Sequence, residues 1–133
     1  MICVDTTFLV DLWRERDQPS SAARELVEAH RSEQFAVPAH AAGEFLEGGA
    51  AVSSDRFEQS LSFLRLFHVG KVGLETASRY AVVVSALRRA SELQGRSKPD
   101  LWIAAWAIQH GAPLATRNSR HFQGIQGLEL IAY

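Results

Sequence analysis

Three carboxylates occupy positions where an ordinary solvated acid is not expected. Asp5 directly follows the apolar run 2–4, Glu44 lies in an otherwise apolar stretch, and Asp100 opens the apolar segment 101–108. Carboxylates that converge in a partly buried pocket repel one another, and a cation is needed to neutralise them. Oxygen ligands without His or Cys suit Mg²⁺ or Mn²⁺. The three acids therefore indicate a divalent-metal site, where an activated water could attack a phosphodiester.

Each acid also has an ordinary structural explanation. Asp5 could cap the following helix through the backbone amide of Thr7 or Phe8. Asp100 could be a first-turn acid that the helix dipole favours. Glu44 could lie on the solvent side of its helix. Taken singly, the residues leave these alternatives open, and only their combination favours a metal site.

Basic residues lie close to the acids in the sequence. Arg96 and Lys98 precede Asp100, and Arg117 and Arg120 follow the predicted strand at 113–115. An acidic pocket with cations at its rim suits the phosphodiester backbone of RNA. The formal net charge of −1 excludes a broad basic coat for duplex nucleic acid. The alternative is that these cations are solvated surface residues.

The length and composition are those of one soluble domain. The 133 residues predict a single domain, 1–133, and 47% hydrophobic with 22% charged residues is ordinary for a globular protein. The single cysteine, Cys3, excludes an internal disulfide and a Cys-rich zinc site, and we expect it in a strand core. No signal peptide and no run of ~20 apolar residues is present, which predicts a cytoplasmic protein that makes no membrane contact.

Short apolar runs alternate with amphipathic segments along the chain. Strands are predicted at 2–4, 35–37, 67–69, 113–115 and 128–131. Helices are predicted from residue 8, at 22–32, at 39–47 with Gly48–Gly49 as its stop, after the cap at 53–55, at 74–95 and at 101–108. This alternation predicts an α/β three-layer sandwich with a central parallel sheet flanked by helices. Ligands of such sheets bind at the carboxyl ends of strands, where Asp5 lies.

Four blocks of the sequence resemble the PIN-domain ribonucleases of the VapC type, which are toxins of bacterial toxin–antitoxin pairs. The blocks are VDTT at 4–7, EFLEG at 44–48, KPDLWIAA at 98–105 and LATRNSRHF at 114–122, followed by the terminal strand GLEL at 127–130. They occur in the family's order and span nearly the whole chain.

The resemblance implies a PIN-like fold and a Mg²⁺- or Mn²⁺-dependent endoribonuclease. Asp5, Glu44 and Asp100 match the metal-binding acids of the family, which are also its catalytic residues. The resemblance further implies a homodimer and inhibition by a VapB-like antitoxin, whose tail would reach the acidic pocket with a basic side chain.

Further positions match supporting residues of the family. Thr7 corresponds to a small polar position that steadies the pocket, and Thr116 to the hydroxyl residue of the fourth block. Asn118 falls where many relatives carry a fourth acid, so a second metal is expected to bind weakly. His121 falls where some relatives carry Asp, and it is either an RNA contact or an exposed loop residue.

The three tryptophans are the remaining candidates for binding. Trp102 and Trp106 lie one turn apart on an apolar helix, which favours core or dimer packing over base stacking. Trp13 is expected on a surface that contacts a partner. These aromatic residues, together with the resemblance, predict the homodimer.

Two other functions compete with the nuclease. One is a different Mg²⁺-dependent phosphohydrolase on a similar sheet, although a haloacid-dehalogenase-like enzyme would need an acid where Thr7 stands. The other is a non-catalytic RNA-binding or interaction module, which the amide of Asn118 permits and the three acids disfavour.

Overall fold

The computed structural model describes residues 1–133, in which five strands alternate with helices. The strands are β1 (Ile2–Val4), β2 (Phe35–Pro38), β3 (His68–Gly70), β4 (Leu114–Thr116) and β5 (Leu130–Ala132). The α-helices are α1 (Thr6–Arg14), α2 (Ala22–Ala29), α3 (Ala39–Ala50), α4 (Ser54–Leu64), α5 (Leu74–Arg89) and α6 (Lys98–Gln109), and a 3₁₀ turn spans Ser119–His121. None of the helices combines the length and the apolar character needed to span a bilayer.

All five strands are parallel, in the order β3-β2-β1-β4-β5. The central strand β1 is buried along its whole length, as its continuous apolar sequence requires in a parallel sheet covered on both faces. Right-handed crossovers place α1–α4 on one face, because β1, β2 and β3 follow one another in a single direction. The return from β3 to β4 then places α5 and α6 on the other face. The three-layer α/β architecture predicted from the sequence is confirmed.

Side-chain caps fix where the helices near the sheet edge begin. The Asp5 carboxylate accepts a hydrogen bond from the amide of Phe8 and so caps α1. The Ser97 hydroxyl accepts one from the amide of Asp100, so α6 begins at Lys98 and Asp100 lies within its first turn. The capping explanation for Asp5 and the first-turn explanation for Asp100 are therefore both correct as descriptions of local structure.

The predicted stop of α3 at Gly48–Gly49 is wrong, because the helix continues through both glycines to Ala50. A Cβ at Gly49 would lie 2.5 Å from the Oγ atom of Ser60 on α4. Gly49 therefore allows α3 and α4 to pack closely, and it does not end α3.

The expected exposure of Trp13 is also wrong. Its side chain is only 8% exposed and packs edge-on against Phe45 and Phe63. Helices α3 and α4 supply these two rings, so the indole belongs to the core. Trp13 therefore offers no surface for a partner.

Trp106 and Trp102 differ from each other in burial. The Trp106 ring is fully buried, and its Nε1 donates to the Lys71 carbonyl oxygen at 3.0 Å. Trp102 is partly exposed and stacks on Tyr80, with ring centroids 4.3 Å apart. Trp102 thus packs against α5, and Trp106 packs against the end of β3, so contacts within the chain account for both rings.

Candidate active site

Asp5 is fixed between the two central strands at their carboxyl ends. The residue follows β1 directly and is 3% exposed. Its Oδ1 accepts from the Phe8 amide at 2.8 Å, and its Oδ2 accepts from the Thr116 hydroxyl at 2.7 Å. Thr116 ends β4, which lies beside β1 on the side where the strand order reverses. This is the place where open α/β sheets bind ligands.

The environment of Asp5 disfavours its charged form. Burial raises the pKa of the Asp5 carboxyl, whereas hydrogen bonds from Thr116 and the Phe8 amide lower it. The negative charges of Asp100 and Asp11 raise the pKa further. A nearby cation would stabilise the ionised carboxylate that this pocket otherwise penalises.

Asp100 and Glu44 reach the same end of the sheet from two different helices. The Oδ2 atom of Asp100 lies 3.0 Å from Nδ1 of His121. Glu44 is exposed on α3. Its Oε2 atom accepts a hydrogen bond at 2.8 Å from the hydroxyl of Thr6, the residue that follows Asp5.

The three acids do not form a compact cage. No group of three or more His, Cys, Asp or Glu side chains is close enough together to hold one ion in the arrangement shown. These positions alone do not bring Asp5, Glu44 and Asp100 into one coordination sphere, and their joint role as metal ligands stays a prediction. In this arrangement Glu44 accepts a hydrogen bond from Thr6, and Asp100 lies against His121.

The donor set nevertheless fits a hard divalent cation. The negative charge of Asp100 is close enough to raise the pKa of Asp5. Both carboxylates retain oxygen lone pairs that could bind an ion. Glu44 adds a third carboxylate through a side chain that solvent reaches. Such ions usually bind through one or two carboxylates and keep several waters, so a complete protein cage is not needed.

Thr116, Asn118 and Thr7 form one hydrogen-bonded unit beneath the acids. The Thr116 Oγ1 atom accepts from the Asn118 backbone amide at 2.9 Å while its hydroxyl donates to Asp5. The Asn118 side chain donates through Nδ2 to the Thr7 Oγ1 atom at 3.2 Å. The structure thus brings together the three residues that the sequence placed in supporting positions.

Arg96 does not extend freely from the surface. Its Nη1 and Nη2 atoms donate to the carbonyl oxygens of His121 and Gln123, at 3.1 and 2.5 Å, and its Nε donates to Glu92 at 2.8 Å. Arg96 therefore ties the segment that carries His121 to the end of α5. The other predicted basic residues, Lys98, Arg117 and Arg120, are exposed.

Asp11 and Tyr133 are functional candidates that the sequence reasoning missed. Asp11 is 7% exposed on α1, and its Oδ2 accepts from the Tyr133 hydroxyl at 2.9 Å. The Nε atom of Arg117 lies 3.4 Å from the same oxygen. One signal existed in the sequence, because Asp11 follows the apolar Phe8 by three residues and so shares the buried face of α1.

Cys3 contributes no chemistry to this site. It is fully buried in β1, and burial raises the pKa of its thiol far above the ordinary range. Its burial confirms the prediction that Cys3 belongs to the strand core. A thiol that stays protonated does not act as a nucleophile.

Fold and site together define an α/β domain whose carboxylates gather at the carboxyl edge of a parallel sheet. The family model described as "PIN domain" matches residues 2–128, and the chain therefore belongs to the PIN-domain family.

Comparisons with individual proteins agree with this assignment. The chain is 38% identical over 66 residues to "Ribonuclease VapC1" of Rickettsia felis, a match that spans about half of this chain and 48% of that relative. VapBC2 from Rickettsia felis, solved bound to a DNA fragment from its promoter, superposes with a TM-score of 0.82 at 20% identity, covering 100% of this chain and 99% of the other. A toxin–antitoxin complex from Klebsiella pneumoniae gives a TM-score of 0.77 at 23% identity, with 98% and 96% covered. At these identities the two structures establish the fold.

Proposed function

We propose that the chain is a Mg²⁺- or Mn²⁺-dependent endoribonuclease and the toxin of a toxin–antitoxin pair. The observation that carries the proposal is the buried Asp5 carboxylate, which has the charge of Asp100 beside it at the switch in strand order. A buried carboxylate with a second negative charge near it costs stability without a cation, which favours a role in binding one.

The roles of the acids follow from their positions. Asp5 and Asp100 would hold the ion, with Glu44, which is exposed on α3, as the third ligand. A divalent cation bound there would offset the carboxylate charges and supply Lewis acidity for the hydrolysis of an RNA phosphodiester. Thr116 holds the Asp5 carboxylate in one orientation, and Thr7 holds the Asn118 side chain.

The exposed cations are proposed to bind the RNA backbone. Lys98 precedes Asp100 by two residues, Arg117 directly follows β4, and Arg120 lies within the 3₁₀ turn after that strand. Contacts from these side chains to phosphates would release counterions and make binding salt-dependent. Arg96 acts indirectly in this scheme, because its guanidinium is already bound to backbone carbonyl groups.

The proposed partner is a VapB-like antitoxin. Support comes from the similar structures, which are VapBC2 of Rickettsia felis and a toxin–antitoxin complex of Klebsiella pneumoniae. A basic side chain on the antitoxin tail would complement the acidic pocket. A small antitoxin-like reading frame directly upstream, and co-purification of its product with this chain, would test the pairing.

A homodimer is also proposed, on a different basis from the tryptophans. Leu74 and Val82 are large apolar side chains on α5, and they are 87% and 64% exposed. A second copy would cover them. Light scattering across micromolar concentrations tests this proposal, and a monomer throughout that range would contradict it.

The activity is tested by RNA cleavage with Mg²⁺, with Mn²⁺ and with a chelator. We expect cleavage by the wild-type protein with either ion, none with the chelator, and a loss of more than about a hundredfold in Asp5→Asn and Asp100→Asn. Asp55→Asn is the matched control, since Asp55 is an exposed first-turn acid on α4. RNA binding without cleavage would identify a non-catalytic module. Hydrolysis of phosphomonoesters without RNA cleavage would identify a different phosphohydrolase.

A further inference from the structure

A second buried carboxylate lies beside the acidic pocket. The Asp11 side chain is 9% exposed, and its Oδ2 atom is contacted by both the Tyr133 hydroxyl and the Arg117 guanidinium. Taking a carboxylate out of water is costly unless a charged partner and hydrogen bonds compensate it. Arg117, in the loop after β4, supplies the cation, and Tyr133, the residue after β5, supplies the hydroxyl.

The contact uses only one edge of the Arg117 guanidinium. Its Nε atom approaches Asp11, while the two Nη groups donate to no acceptor within the protein. The side chain is 57% exposed. Arg117 also follows Thr116, whose hydroxyl is bonded to Asp5. Asp11 lies close enough to Asp5 for its charge to raise the pKa of that carboxyl, so the guanidinium bound to Asp11 lies beside the acidic pocket.

We infer that Asp11 and Tyr133 are positioning residues, which hold Arg117 so that its two Nη groups receive an RNA phosphate beside the acids. This inference rests on the proposed nuclease function. A guanidinium presents paired donors in a fixed plane that matches phosphate oxygens, and holding it in place in advance lowers the entropy lost on binding.

The Tyr133 hydroxyl is suited to a permanent structural contact. Burial, the hydrogen bond to Asp11 and the Asp11 charge all raise the pKa of Tyr133. The hydroxyl therefore remains protonated and keeps donating to Asp11. The ring also packs edge-on against Phe8, with centroids 5.1 Å apart, which ties it to the helix that Asp5 caps.

A positioning role for Asp11 and its charge alone predict opposite changes in RNA binding when the residue is replaced. Asp11 is negatively charged, so Asp11→Asn removes repulsion and by charge alone should strengthen the binding of RNA. If Asp11 acts by positioning Arg117, the same substitution should weaken binding. The direction of the change thus separates a positioning role from a bystander charge.

The test measures binding of a short fluorescein-labelled single-stranded RNA by anisotropy, with Ca²⁺ in place of Mg²⁺ and at several salt concentrations. We expect Arg117→Ala to weaken binding about tenfold, as for loss of one charge-assisted contact, and to reduce the salt slope by about one. Asp11→Asn should weaken binding several-fold, Tyr133→Phe less, and the double variant Asp11→Asn/Arg117→Ala no more than Arg117→Ala alone. Arg117→Lys should resemble Arg117→Ala, because a lysine lacks the fork.

The matched control is Arg31→Ala, which removes an exposed cation four residues before the amino end of β2. It should change RNA affinity by less than about twofold. Unchanged or tighter binding by Asp11→Asn, additive losses in the double variant, or wild-type affinity in Arg117→Lys would overturn the inference. If Asp11→Asn fails to fold, Arg117→Lys and Tyr133→Phe decide the question. Wild-type protein that binds no RNA would contradict the proposed function as well, whereas RNA binding that ignores Asp11 and Tyr133 contradicts only their positioning role.

Discussion

The Thr116 hydroxyl donates to the Asp5 Oδ2 atom at 2.7 Å, although the two residues are 111 positions apart in the chain. The hydrogen bond joins the ends of the two central strands and leaves the carboxylate with one fixed orientation. Because Thr116 also accepts from the Asn118 amide, a single buried side chain connects the primary acid to the rest of the pocket.

Removing this hydroxyl should weaken cation binding without unfolding the protein. We expect Thr116→Val to lower Mn²⁺ affinity about tenfold or more, because residues that orient metal ligands typically contribute that much. Thr116→Ser keeps the hydroxyl and should remain within a few-fold of wild type. Isothermal titration with Mn²⁺ measures both, and equal affinities for the two variants would show that the hydroxyl has no orienting role.

Asp5→Asn should stabilise the protein in the presence of a chelator. The substitution removes a buried charge while an Asn oxygen can still cap α1 at the Phe8 amide. We expect the free energy of unfolding to increase by on the order of 1 kcal/mol. The same variant should lose the rise in melting temperature that Mn²⁺ produces in the wild type. Thermal unfolding with and without Mn²⁺ tests this, and a lower melting temperature than wild type in chelator would contradict it.

The stability of the wild-type protein should depend on pH in a direction set by Asp5. Its pKa in the fold is raised above the ordinary value of 3.8, so the folded state binds more protons than the unfolded state between these two pKa values. The free energy of unfolding contributed by this group is therefore greatest below pH 3.8 and falls as the pH rises through the folded pKa. Urea unfolding at a series of pH values in chelator should show the stability of Asp5→Asn increasing relative to wild type as the pH rises. A difference that stays constant with pH would refute this assignment.

Gly70→Ala should be strongly destabilising. A Cβ at this position, at the end of β3, would overlap the buried indole of Trp106. We expect a loss of about 2–3 kcal/mol, since the packed ring has no room to move. Gly43→Ala is the matched control, because a Cβ on this exposed residue of α3 meets nothing within 4 Å. Chemical denaturation should find the control unchanged or slightly more stable.

The sequence predicted the parallel sheet and the order of elements because those features have local signals. The buried strand β1 reads as an apolar run, and Asp5 after it reads as a cap, which it is. The resemblance identified Thr7, Thr116 and Asn118, and the structure brings all three together beside Asp5.

What the sequence could not predict depends on contacts between distant segments. The exposure expected for Trp13 is wrong because nothing near it in the chain shows that Phe63 on α4 covers its ring. Gly49 reads locally as a helix stop, and only the packing of α4 explains its place within α3. The binding of Arg96 to the carbonyl groups of residues 121 and 123 likewise has no sequence pattern, because any surface arginine would look the same.

The central position of β1 has a consequence for how the protein is made. Strand β1 ends at Val4, whereas one of its two neighbours, β4, begins only at Leu114 and is therefore synthesised much later. Until that segment has been synthesised, β1 lacks half of its pairing and Asp5 lacks its hydroxyl partner. Topologies with such distant contacts fold late and slowly. Translation itself therefore delays the nuclease activity that we propose until β4 has been made.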